Sequence, residues 1–158
     1  RLLDAGRITR REANERMLQR ARAVGRGFEV EGVLDDWMSM LHPRRRMQTL
    51  VEQLKHRGYC VYYLSNIPED VLDLLMRRDF EGLFDGGVAS CEVKINKPDP
   101  RIYQTLLDKY HLRADESIFI DDRAENLVAA SALGFGTYEM HGVGTLLRSL
   151  PTFGVSLH

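Results

Sequence analysis

Two adjacent carboxylates, Asp121 and Asp122, stand directly after the apolar run Ser117-Ile118-Phe119-Ile120. The run has the length of a buried strand, and two acids at its end repel each other unless a cation or hydrogen bonds compensate. Magnesium held by one or two carboxylates together with phosphate oxygens is the chemistry that suits such a pair. A plainer reading stays open, in which one aspartate caps the helix beginning near Arg123 and its neighbour faces water. Asn126, one turn further on, either bonds back to this loop or lies on the helix surface.

Two other places carry groups suited to an anion. Ser65 and Asn66 follow the apolar run Cys60 to Leu64 and precede Pro68-Glu69, a helix start, so a hydroxyl, an amide and free backbone N–H groups are available to a phosphate there. Ser and Asn are also ordinary residues before helices. Lys97 lies in Ile95-Asn96-Lys97-Pro98-Asp99-Pro100, where its ammonium can neutralise a phosphoryl group as a point charge or simply face solvent.

The elements that must position these groups alternate. Strands are expected over 60–64, 87–90, 117–121 and 136–140, and helices over 69–78, 98–109 and 124–133. A further helix follows Pro43, with Met47, Leu50, Val51 and Leu54 on one face, and Gly58 stops it. Strands too apolar to be half exposed, alternating with helices, imply an α/β fold with a parallel sheet. Ahead of it, residues 8–25 read as an amphipathic helix opened by Thr9 and Glu12 as a capping box, and a second helical stretch, about 30–41, carries Val33, Leu34, Trp37, Met38 and Leu41.

Composition narrows the partners. A chain of 158 residues, 44% apolar, can bury one good core. Its formal charge of −1 argues against nucleic acid, although the first 26 residues hold eight arginines against three acids. Arg10, Arg11, Arg20, Arg22 and the triplet Arg44-Arg45-Arg46 either attract an anionic substrate or form solvated basic faces. Two distant cysteines, Cys60 and Cys91, indicate neither zinc nor a disulfide framework and suit a cytoplasmic setting. No apolar stretch reaches the roughly 20 residues needed to span a bilayer, so no membrane partner is expected.

Taken in order, these segments resemble the haloacid dehalogenase superfamily of phosphatases and related hydrolases. Leu64-Ser65-Asn66 is similar to its second motif, the segment Ser90 to Tyr103 to its third, and Phe119 to Ala130 to its fourth. The resemblance implies a three-layer Rossmann-like parallel sheet over residues 43–158, with a small helical cap over 1–42 in which Trp37, Met38 and Met40 either line a substrate pocket or pack. It implies that Ser65 and Asn66 hold a phosphoryl group, that Lys97 steadies nucleophile and phosphate, and that Asp121 and Asp122 serve Mg2+. The activity implied is hydrolysis of a phosphomonoester of a small metabolite, such as a sugar phosphate, through an aspartyl phosphate, in a monomer or homodimer. Carbon-directed dehalogenation and a non-catalytic member of the fold are the alternatives.

One departure stands out. The family's first motif, Asp-x-Asp after a strand, occurs nowhere in the 158 residues. Asp4 follows no apolar strand and cannot replace it. In the family fold that strand lies between those ending in Ser65 and Asp121, so about 30 to 45 residues carrying it are expected outside this sequence.

Overall fold

A computed structural model describes residues 1–24, 45–77 and 81–157. Helix α1 spans Arg10–Ala23, and its start is the one expected: Thr9 Oγ1 accepts from the Glu12 N–H while the Glu12 carboxylate accepts from the Thr9 N–H, so two otherwise orphaned donors are satisfied. Helix α2 covers Arg45–His56 and ends before Gly58, whose φ of 85° is a conformation that suits glycine. The stretch 30–41, with Trp37, Met38 and Met40, lies outside the described residues, as does Arg44. Arg45 and Arg46 are exposed on the first turn of α2.

From there the alternation runs β1 (Tyr62–Ser65), α3 (Glu69–Leu75), β2 (Gly86–Ala89), α4 (Ser90–Val93), α5 (Pro100–Tyr110), β3 (Ile118–Asp121), α6 (Ala124–Ala132), β4 (Gly136–Glu139) and α7 (Val143–Ser149). Both strand pairs are parallel: β1 with β2, Ser65 opposite Ala89, and β3 with β4, Asp121 opposite Glu139. Among the described residues no ladder joins β1 to β3. The break falls between the strands that end in Ser65 and Asp121, where the resemblance puts a strand not carried by this sequence.

Side chains alternate across each strand, which builds helical layers on both faces. From β3, Phe119 enters one core with Ile102, Tyr103, Leu106 and Leu107 of α5 and Ala130 of α6. Its neighbour Ile120 points the other way, packing with Tyr138 against Leu50 of α2 and Leu146 of α7. A third cluster joins Ile67, Val71 and Leu72 to Ala89 and Cys91. The result is the α/β, three-layer arrangement expected.

Helix α5 begins two residues later than the expected position 98, because Asp99 caps it by accepting from the Arg101 N–H with Pro100 at the first turn. No helix is expected from the sequence at α4 or α7, and Ser90, expected to end the strand 87–90, instead begins α4. Four residues of α4 are too few to show a period, whereas Leu146 and Leu150, both 2% exposed, repeat at helical spacing just after Gly142.

The segment before α1 is fastened to the α/β core. Asn96 Nδ2 donates to the Arg1 carbonyl (2.7 Å), Ser90 Oγ to the Asp4 carbonyl (2.6 Å) and Lys94 Nζ to the Gly6 carbonyl (3.3 Å). Arg10 forms an ion pair with Asp70 of α3 at 2.9 Å.

Candidate functional site

Lys97 is the meeting point of the predicted residues. Its peptide is gripped by Asn66, whose Oδ1 accepts from the Lys97 N–H (2.7 Å) and whose Nδ2 donates to the Lys97 carbonyl (2.9 Å). An amide side chain presents a donor and an acceptor side by side, so one residue holds the lysine's backbone at both polar ends. The Lys97–Pro98 peptide is cis. The lysine side chain then runs over the face of Phe119, with Nζ 5.2 Å from the ring centroid, and ends in an ion pair with Asp121 Oδ2 at 2.6 Å.

Asp121 is the more constrained of the twin acids. Its side chain is 6% exposed and that of Lys97 9%, so the pair is desolvated and depends on further hydrogen bonds. The other oxygen, Oδ1, supplies them by accepting from the Arg123 N–H and from Asn126 Nδ2, each at 2.9 Å. Burial acts to raise the Asp121 carboxyl. The Lys97 ammonium, the Asn126 amide and the Arg123 N–H outweigh it and hold the group below its ordinary value.

Asp122 differs in kind. It is exposed, and no described residue donates to its carboxylate. The plainer reading describes both acids, Asp121 bonding the backbone at the head of α6 and Asp122 facing water, with the Lys97 ion pair added at Asp121; exposed, Asp122 remains open to a ligand. A cavity of about 400 Å³ lies here, lined by Asp121 and Asp122 with Met47, Ile120, Met140, His141 and Gly142. Ser65 and Lys97 lie outside that lining. A larger cleft of about 550 Å³, between α2 and residues 81–83, contains none of the predicted residues.

Ser65 ends β1 one residue before Asn66, and so stands at the same end of the sheet as Lys97. Trp37 falls outside the described residues. Asn126 is 3% exposed and bonds back to the loop rather than lying on the helix surface. Sequence reasoning gave no part to Tyr103, whose hydroxyl donates to the Asn126 carbonyl at 2.9 Å. A tyrosine on the buried face of a predicted helix, needing a partner for its hydroxyl, was the available signal. Met47, Met140 and His141 also gain their place only through folding, since α2, β3 and β4 meet at the cavity.

The residues present suit a hard divalent cation through one ligand. Asp122 supplies a free carboxylate, and magnesium characteristically takes one or two carboxylates and completes its shell with water and phosphate oxygens. Among the described residues no three His, Cys, Asp or Glu side chains form a closed metal cluster. Asp121, with three donors on its two oxygens, contributes by holding Lys97.

Residues 4–134 match the model of the haloacid dehalogenase-like hydrolases. The sesquiterpene phosphatase astK of Aspergillus oryzae is 37% identical over 109 residues, covering 68% of this chain and 56% of its own length. The (S)-2-haloacid dehalogenase 4A of Burkholderia cepacia is 33% identical over 95 residues, covering 60% of this chain and 41% of its own. The chain thus spans about half the length of these curated relatives. Among solved structures, a predicted HAD-like hydrolase from Porphyromonas gingivalis superposes with a TM-score of 0.74 at 26% identity, covering 94% of this chain and 77% of that one. A wild-type HAD family enzyme from Bacteroides thetaiotaomicron, in complex with magnesium and inorganic phosphate, gives 0.67 at 26% identity, covering 87% and 72%.

Proposed function

The chain belongs to the haloacid dehalogenase-like hydrolases, and from that premise we propose that it serves a magnesium-dependent phosphomonoesterase acting on a small phosphorylated metabolite. The observation that carries this reading is the buried Lys97–Asp121 pair beside an unengaged Asp122. Lys97 spends one of its three N–H donors on Asp121, leaving two for phosphoryl oxygens. Ser65 contributes its hydroxyl, and Asn66 retains a second amide N–H after bonding Lys97. Bound at Asp122, magnesium would add charge neutralisation of the phosphoryl oxygens. In this reading residues 43–158 are the core and the chain ahead of them, residues 1–42, belongs to a cap.

The 158 residues hold no Asp-x-Asp, and the attacking carboxylate is taken to lie outside them. In this reading it forms a bond to phosphorus as the ester oxygen leaves with a proton as alcohol. Water then attacks the aspartyl phosphate, releasing inorganic phosphate and restoring the carboxylate. The alcohol portion is open to an apolar group, since Met47, Ile120 and Met140 line one side of the cavity and a relative acts as a sesquiterpene phosphatase. The formal charge of −1 fits a protein without nucleic-acid partners, and free thiols at Cys60 and Cys91 fit a cytoplasmic setting. Among the described residues no helix is long and apolar enough to cross a membrane.

The likeness to a haloacid dehalogenase supplies the competing reading, and one panel separates the two. The intact protein is assayed with sugar, nucleotide and prenyl monophosphates and with 2-haloacids, in magnesium and then in EDTA. Phosphate release that stops in EDTA and is abolished by Asp122→Asn is the expected result. Lys97→Ala should cost at least the value of one oxyanion donor, about 100-fold. Halide release insensitive to EDTA, or full phosphatase activity in Asp122→Asn, overturns the assignment.

A further inference from the structure

Asn126 is a polar side chain placed on the inward face of α6, an arrangement that costs free energy unless its amide is bonded. The bond it makes goes to Asp121 Oδ1, which also receives the Arg123 N–H. Two donors on one oxygen fix the plane of a carboxylate, and with the plane fixed, Oδ2 is aimed at Lys97. The main chain of Asn126 is held in turn by Tyr103, which is fully buried and donates to its carbonyl. The Tyr103 ring meets Phe119 edge-on, 5.2 Å between centroids at 73°, and Phe119 lies under the Lys97 ammonium. The contacts close into a circuit: Lys97, Asp121, Asn126, Tyr103, Phe119 and back to Lys97.

We propose that Asn126, braced by Tyr103, is a positioning residue that sets the direction of the Lys97 ammonium through Asp121. For its consequence in turnover this inference rests on the phosphomonoesterase reading. The geometric claim does not. Lys97 Nζ has a flexible four-carbon stem and would swing between Asp121 and solvent without a fixed acceptor. Asn66 holds only its peptide. Partners one shell out from a catalytic group commonly matter by about 10- to 100-fold when removed.

The experiment compares wild type with Asn126→Leu, which keeps similar volume without an N–H donor, and Tyr103→Phe, which keeps the ring and removes one hydroxyl. The proton–nitrogen correlation signal of the Lys97 ammonium, assigned by its loss in Lys97→Met, is followed at low temperature. In wild type the nearly enclosed ion pair should slow exchange enough to give a resolved peak. Asn126→Leu should broaden that peak away, and Tyr103→Phe should shift it less. A residue that merely stabilises α6 would lower the melting temperature and leave the peak where it was. An unmoved peak in folded Asn126→Leu overturns the proposal, and if that variant does not fold, an unmoved peak in Tyr103→Phe does so. On the intact protein's best phosphate ester, kcat should fall about 10- to 100-fold in Asn126→Leu with KM changed far less. A pure rise in KM would contradict it. Should no ester be hydrolysed by wild type, the functional reading fails while the ammonium signal still decides the positioning claim.

Discussion

Replacing Lys97 by methionine tests the central pair without emptying the space its stem occupies. Methionine keeps an unbranched apolar chain against Phe119, so the loss is mainly the charge partner of a carboxylate that is 6% exposed. Removing one member of a buried pair typically costs about 3–5 kcal/mol, because the other charge is stranded. Here Asp121 retains two donors, the Arg123 N–H and Asn126 Nδ2. It can also escape by taking up a proton, which at pH 7 costs roughly 4 kcal/mol for a carboxyl of ordinary pKa. The expected cost is therefore near the lower end, about 3 kcal/mol. In a domain of about 150 residues or more that corresponds to a melting temperature lower by roughly 6–12 °C. Urea unfolding at pH 7 of wild type, Lys97→Met, Asp121→Asn and the double variant measures both the cost and the coupling. The double variant should be less destabilised than the sum of the singles by more than about 1 kcal/mol. A single-variant cost under about 1 kcal/mol, with strict additivity in the double, would refute the claim that this contact is desolvated and mutually dependent.

Three further outcomes follow from the same structure. The folded state lowers the Asp121 carboxyl, so its contribution to stability is complete above the ordinary value, about 3.9, and is lost as pH falls through the lower folded value. Urea midpoints from pH 7 to pH 2 should show wild type losing its advantage over Asp121→Asn below about pH 4, and a constant gap would contradict the sign. Gly87→Ala should destabilise by at least the 1–3 kcal/mol of a typical overpacked site, because the added Cβ would sit 2.5 Å from the Tyr63 carbonyl oxygen and 2.4 Å from its ring. Thermal melts of that variant check it, and an unchanged melting temperature would mean β1 and β2 can separate freely. Ser90→Ala should cost about 1–3 kcal/mol, since it strands the Ile67 N–H, a donor now bonded to Ser90 Oγ at 2.9 Å. Chemical denaturation measures this, and a loss below about 0.5 kcal/mol would show the donor finding another partner.

How much was legible in the sequence varied with the physics behind each signal. The helix start at Thr9 and Glu12 was readable because a capping box is local. The face of α2, with Met47, Leu50, Val51 and Leu54, was readable because period is local too. The two roles within Asp121-Asp122 were not. Which acid turns inward depends on the strand's facing: Asp121, the last residue of β3, falls by alternation on the side of Phe119, and Asp122 lies beyond the strand. Likewise the grip of Asn66 on Lys97 spans 31 positions, and no pattern of residue types signals such a bond. The metal expectation for the pair drew on its two adjacent charges and on the family resemblance, whereas the folded chain satisfies one of those charges internally.

The hydroxyl of Ser90 joins two distant stretches of chain, accepting from the Ile67 N–H while donating to the Asp4 carbonyl. It acts as an axle pin. Any displacement of the amino-terminal arm, fastened also at Arg1 and Gly6, pulls on Ser90 and through it on the peptide immediately after Asn66. A shift of α1 would thus act two hydrogen bonds away from the peptide beside the amide that seats Lys97.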